Sequence, residues 1–234
     1  ARKDWMKALA ADVADLHSQG SQVILISSGS IALGRRHLGL SNKTIRLEEK
    51  QAAAATGQVE LAQLWSEALA DEGLRAGQIL LAPEDTETRR RHINARATIQ
   101  TLLDLGVVPV VNENDTVTTY EIRFGDNDRL AARVAAMVSA DLLILLSDVD
   151  GLYTDNPHQT ETARHIPEIR DITPGVLAMG GTANAEFASG GMATKLAAAR
   201  IASAAGVGMI ICKGFDDRPV SALNAGAKLS LIHI

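Results

Sequence analysis

Five short apolar runs, each ended by a polar turn, constrain this chain more than any other feature. They are QVILIS at 22–27, GQILLA at 77–82, VVPVV at 107–111, LLILLS at 142–147 and VGMIIC at 207–212. Nearly continuous apolar runs of this kind suit strands buried on both faces. Helical patterns lie near 4–18, 48–71, 87–104, 127–139 and 192–205. Strands alternating with helices predict a parallel sheet with helices on both sides. The expected fold is therefore α/β, a three-layer αβα sandwich around a mostly parallel central sheet. No internal repeat, low-complexity linker or domain break interrupts the pattern, so residues 1–228 are expected to form one domain.

Composition narrows the chemistry. The 234 residues suffice for a sizeable core, but only 3% are aromatic, so that core must come from Ala, Leu, Ile and Val. A net charge of −5 argues against a nucleic-acid or anionic-membrane partner. The single cysteine, Cys212, excludes an internal disulfide and fits a reducing, cytoplasmic compartment. No run approaches the ~20 apolar residues of a membrane span.

Both ends invite comment. Trp5, Leu9, Val13 and Leu16 mark a first helix, whereas a doubly wound domain usually places a strand before it. That strand is expected upstream of Ala1. The last six residues, LSLIHI at 229–234, are what one reading frame of the transposon-end adaptor CTGTCTCTTATACACATC encodes. They are expected to be a non-native tail, although their alternation also fits a strand.

The loops after the strands carry the chemistry. Ser27-Ser28-Gly29-Ser30 leaves the first run and opens a helical stretch, where exposed backbone N–H groups bind anions. A simple N-cap would account for it equally. Asn112-Glu113-Asn114-Asp115 follows the third run. It offers carboxylate acceptors for an ammonium group and amide donors for a carboxylate, and it could also be a solvated turn. Gly125-Asp126-Asn127-Asp128 begins the next helix with more polar side chains than one cap needs. Such excess at the carboxyl edge of an open sheet points to a ligand. Between these clusters, 116–124 reads as a small hairpin able to close over a site.

Ser147-Asp148-Val149-Asp150-Gly151 sits at the end of the fourth run. An acid there would orient Mg²⁺ or a catalytic lysine in a nucleotide enzyme, or simply turn the chain. Ser189-Gly190-Gly191-Met192-Ala193-Thr194-Lys195 leads into an Ala-rich helix. Its glycines allow backbone approach to a phosphate that Lys195 could reach from the side. Neither a Walker A loop nor a GxGxxG fingerprint is present. The run Arg89-Arg90-Arg91-His92 reads as a solvated or intersubunit helix face. The six histidines have no metal-ligand spacing, so no protein-held metal is expected. Nothing resembles a Ser-His-Asp site.

Taken in order, SSGS, VNEND, GDND, SDVDGLY and GGMATK resemble the amino acid kinase family over about residues 4–228. The pair NEND and GDND points to its glutamate-phosphorylating branch. The resemblance implies ATP-dependent phosphorylation of the γ-carboxylate of L-glutamate, giving γ-glutamyl phosphate, the first step of proline biosynthesis. It also implies Mg²⁺ on the nucleotide, proline as feedback inhibitor and a homo-oligomer, dimer or tetramer. By motif, Ser28, Gly29, Asp115 and Asn127 would bind glutamate, with Asn112, Asp126 and Asp128 lining the pocket. Ser147, Asp148 and the stretch Ser189, Gly190, Gly191, Met192, Ala193, Thr194 and Lys195 would bind ATP. Lys195 and Asp148 would be the catalytic pair, Asp148 orienting the lysine. The family's opening Lys-x-Gly-[ST] strand and the C-terminal RNA-modification-type (PUA) domain of many members are not within 1–234. The open alternatives are a family member acting on acetylglutamate, aspartate or carbamate, and a non-catalytic glutamate or proline sensor.

Overall fold

The computed structural model describes residues 2–40, 46–117, 127–157, 159–180 and 191–233. The chain divides into two compact units, Ala1–Asn127 and Asp128–Ile234. The first contains α1 (Arg2–Ser18), β1 (Leu25–Ile26), α2 (Ser30–His37), α3 (Leu47–Asp71), β2 (Arg75–Leu81), α4 (Pro83–Glu87), α5 (Arg89–Asp104) and β3 (Val107–Glu113). Helix α6 (Asn127–Val138) starts on its last residue. The second contains β4 (Leu142–Ser147), β5 (Leu152–Tyr153), β6 (His165–Ile166), β7 (Glu168–Ile169), α7 (Pro174–Ala178), α8 (Met192–Ala204), β8 (Gly208–Lys213), α9 (Pro219–Asn224) and β9 (Leu229–Ile232). The α/β class and the predominance of parallel pairing agree with the sequence. The strands form a sheet in each unit and a small β5–β6 pair.

In the first unit the order is β1-β3-β2, all parallel. The run 22–27 contributes only Leu25–Ile26 as strand, and Pro109 supplies the reason. The N–H of Ser27 donates to the Val111 carbonyl at 2.8 Å, so Val111 turns its backbone groups toward β1. Because those groups alternate along a parallel strand, Pro109 faces β1 too. It has no N–H to give, and the ladder stops at Leu25↔Val110. β2 meets no such break and pairs along its length, from Arg75↔Val107 to Leu81↔Glu113.

Helix α3 is the spine of this unit. It buries Leu61, Trp65, Ala68 and Leu69 while α1 brings Leu9, Ala10 and Val13 against it. Trp5 and Trp65 meet edge to face, ring centroids 6.4 Å apart. Where α2 crosses α3 the backbones touch. A Cβ on Gly57 would overlap the carbonyl oxygen of Ser30 and lie 2.5 Å from the backbone nitrogen of Gly34. Only glycine permits this approach.

The helix expected over 87–104 arrives as two pieces. Pro83 starts α4 at a position that needs no N–H, and the Asp85 carboxylate accepts from the Ala82 N–H at 2.7 Å. Thr88 is extended (φ −80°, ψ 116°), which ends α4 and begins α5. Arg89, Arg90 and Arg91 are exposed.

The second unit orders its sheet β4-β8-β9-β7, with β8–β9 antiparallel and the other pairs parallel. Leu143, Leu145, Met209 and Ile211 are buried on the strands; Leu130, Val134, Met137 and Leu196 are buried on α6 and α8. The alternating residues Leu229–Ile232, which belong to the expected tail, pair with β8 and β7 as an interior strand. Among the described residues, no helix is long and apolar enough to cross a membrane. The hairpin expected at 116–124 lies outside the described residues beyond Val117.

Candidate active site

Parallel pairing brings the ends of β1 and β3 side by side, because Ile26 registers with Val111. The chain leaves β1 through Ser27-Ser28-Gly29. Gly29 has φ 109°, a left-handed conformation that turns the chain into α2 without a side-chain cap. Among the described residues, no side chain caps the first-turn N–H groups of α2. Ser28 is exposed in this loop, while Ser27 and Ser30 are buried.

The end of β3 carries the opposing groups. Asn112 is buried and donates from Nδ2 to Gln58 Oε1 on α3 at 2.8 Å. Two residues on, the Asn114 N–H continues the ladder to the Leu81 carbonyl at 2.8 Å, and the Val117 N–H then donates to the Asn114 carbonyl at 3.3 Å, closing a turn around Asp115. The Asp115 carboxylate is 7% exposed, and the Ser30 hydroxyl donates to its Oδ2 over a long 3.4 Å. Burial pushes this carboxyl up to about 6; the Ser30 hydrogen bond opposes that and does not cancel it. A desolvated carboxylate with one weak partner among the described residues is suited to a cation from a ligand.

The sequence reading thus places Ser28, Gly29, Asn112 and Asp115 together, and the structure brings all four to one edge of one sheet. It adds two residues that reading did not single out: Gln58 holds Asn112, and Trp65 donates from Nε1 to Ser27 Oγ at 2.7 Å, while Ser30 of the SSGS loop touches Asp115. A glutamine and a tryptophan on the buried side of an Ala-rich helix were the available signal. Asp126 lies outside the described residues. Asn127, the first residue of α6, has a buried Oδ1 that finds no hydrogen-bond partner among the described residues.

The second unit assembles a different group. Lys195, in the first turn of α8, places Nζ 3.1 Å from Asp128 Oδ2 in the first turn of α6. Thr194 Oγ1 lies 3.0 Å from the same oxygen and 2.8 Å from the Gly191 carbonyl. Among the described residues the carboxylate ion-paired with Lys195 is thus Asp128, expected in the acceptor pocket, whereas Asp148 was expected to orient the lysine. Asp148 instead accepts from the Ser147 hydroxyl at 3.0 Å, in the exposed turn that follows β4. Two residues beyond, Asp150 pairs with Lys228 at 3.1 Å and accepts from the Tyr153 hydroxyl at 2.8 Å, which anchors that turn.

These groups can hold phosphate. Gly191 precedes α8 without a side-chain cap, so among the described residues the N–H groups of Met192, Ala193 and Thr194 carry no cap beside the Thr194 hydroxyl and the Lys195 ammonium. Ser189 and Gly190 lie outside the described residues. Among the described residues no three acidic, His or Cys side chains converge as a metal site.

Comparisons with known proteins show the family of the chain. The model of the amino acid kinase family matches residues 1–213. The chain is 57% identical over 225 residues to a glutamate 5-kinase of Gluconobacter oxydans, covering 96% of this chain and 60% of that one. Against a glutamate 5-kinase of Caulobacter vibrioides the identity is 57% over 234 residues, covering 99% and 62%. The chain therefore spans about three fifths of the length of the curated relatives it matches. Among solved structures, the isopentenyl phosphate kinase of T. acidophilum, in a product complex, has a TM-score of 0.63 at 15% identity. That alignment covers 100% of this chain and 92% of the other, a likeness of fold.

Proposed function

The chain belongs to the amino acid kinase family, and from that premise we propose that its protein phosphorylates the γ-carboxylate of L-glutamate with ATP. The observation that carries the reading is the buried Asp115 carboxylate, which has no cationic partner among the described residues, in a chain 57% identical to glutamate 5-kinases. The α-ammonium of glutamate is the cation this group lacks. Asn112 adds an amide beside it, and the Ser28-Gly29 turn offers backbone donors to anionic oxygens.

A γ-carboxylate oxygen forms a bond to the terminal phosphorus of ATP as the bond to the bridging oxygen of ADP breaks, giving an acyl phosphate. Such a transfer needs alignment and charge neutralisation more than covalent help. The Lys195 ammonium supplies a cation for the transferring oxygens, held in place by Asp128. The α8 N-terminus and Thr194 suit the nucleotide's phosphates, on which Mg²⁺ would be carried to neutralise further charge. Proline, with an ammonium and a carboxylate on one carbon, fits the same acceptor groups and is read as a competing ligand. The reducing cytoplasm suits the free thiol of Cys212.

The test uses the full-length gene product, hydroxylamine to trap acyl phosphate, and glutamate, N-acetylglutamate, aspartate and carbamate as acceptors. Hydroxamate and ADP forming together with glutamate alone is the expected result. Turnover with another acceptor, or glutamate binding without ADP release, would overturn it.

A further inference from the structure

We propose that Gln58 is a positioning residue for the acceptor site, acting through Asn112. The inference rests on the reading of Asn112 as part of that site. Asn112 is 3% exposed at the end of β3, and its Nδ2 donates to Gln58 Oε1 at 2.8 Å. An asparagine amide can rotate by half a turn and exchange its acceptor for its donors with little change of shape. The bond to Gln58 opposes that rotation, because either amide turning alone would set NH₂ against NH₂ or oxygen against oxygen. With the NH₂ group committed to α3, Oδ1 is the face left for a ligand, and among the described residues no hydrogen bond falls on it. A carbonyl oxygen there can accept from an ammonium; the NH₂ group would oppose one.

Its place on α3 supports a role beyond filling space. Gln58 follows Gly57, which seats the Ser30 backbone, and precedes Trp65, which holds Ser27 by its indole N–H at 2.7 Å. One face of one helix thus touches the Ser27–Ser30 turn twice and β3 once, so the two walls of the acceptor group are fixed from a common element.

The experiment compares Gln58→Leu and Gln58→Glu in the full-length gene product. Leucine removes the acceptor; glutamate keeps an oxygen that can receive the Asn112 N–H. The expected result is a KM for glutamate raised about tenfold in Q58L, as for one lost hydrogen bond at a binding group. The KM for ATP should stay within about twofold, and Q58E should recover most of the loss. In NMR spectra, the slowly exchanging Asn112 side-chain amide, assigned by its absence in N112D, should persist in Q58E and vanish in Q58L.

Equal losses for glutamate and ATP with a lowered Tm would mean that Gln58 only packs, and an unchanged KM would mean that Asn112 needs no such hold. Either overturns the inference. If the unaltered protein makes no glutamyl hydroxamate, the functional reading falls separately. The NMR comparison then still decides whether Gln58 fixes Asn112.

Discussion

Lys195 and Asp128 form an ion pair 3.1 Å long across the first turns of two helices, with side chains only 11% and 22% exposed. A pair this shielded is costly to break from one side. Thr194 Oγ1 lies 3.0 Å from the same carboxylate oxygen, so the lysine's direction is set by two groups. For a kinase, Lys195→Ala should lower kcat by about 10³, the scale of removing one preorganised charge donor, while glutamate binding by calorimetry stays intact. Asp128→Asn keeps the ammonium but loosens it, and should lower kcat less. A Lys195→Ala variant with unchanged turnover would remove the lysine from the chemistry.

Asp115 gives the reaction a pH limb with a definite direction. Burial raises this carboxyl from 3.8 to about 6. The carboxylate attracts an ammonium only when ionised, so kcat/KM for glutamate should fall about tenfold per pH unit below about 6 and level off above it. Stability runs the other way. A carboxyl whose folded pKa is raised binds protons more readily folded than unfolded, so its contribution is present below the unfolded value and lost as pH rises through about 6. Asp115→Asn should therefore abolish the acid limb, weaken glutamate binding, and raise the Tm above pH 6. Profiles from pH 5 to 8 with both proteins check this; an acid limb surviving in the variant would assign it to another group.

Legibility of the fold tracks how local its causes are. VVPVV and LLILLS identified β3 and β4 because strands buried on both faces leave unbroken apolar runs. The helices over 47–71 and 192–204 followed from length and periodicity. The shortening of β1 required knowing that Pro109 would face it, a matter of pairing that no run of residues 22–27 encodes. The two-residue strands β5, β6 and β7 are bridges made by tertiary contact, too short for a period. At the site, NEND and SSGS were visible because polar residues crowd a strand end. The partnership of Lys195 with Asp128 was not, since 67 residues separate them and the place of Asp148 at a strand end, with the family resemblance, pointed to that acid instead.

The crossing at Gly57 yields a prediction whose sign opposes ordinary helix propensity. On an open helix face, Gly→Ala stabilises by about 1 kcal/mol. At Gly57 the added Cβ would overlap the Ser30 carbonyl oxygen and crowd the Gly34 nitrogen at 2.5 Å. Both are backbone atoms, which cannot rotate aside as a flexible side chain would. α2 must then lift off α3 and carry Ser30 away from Asp115, to which its hydroxyl now donates at 3.4 Å. Gly57→Ala should destabilise by about 1–3 kcal/mol, the usual cost of overpacking, and should raise the KM for glutamate more than that for ATP. Urea unfolding reads the first effect and initial rates the second. A midpoint equal to or above that of the parent protein would mean that α2 and α3 are not in backbone contact at Gly57.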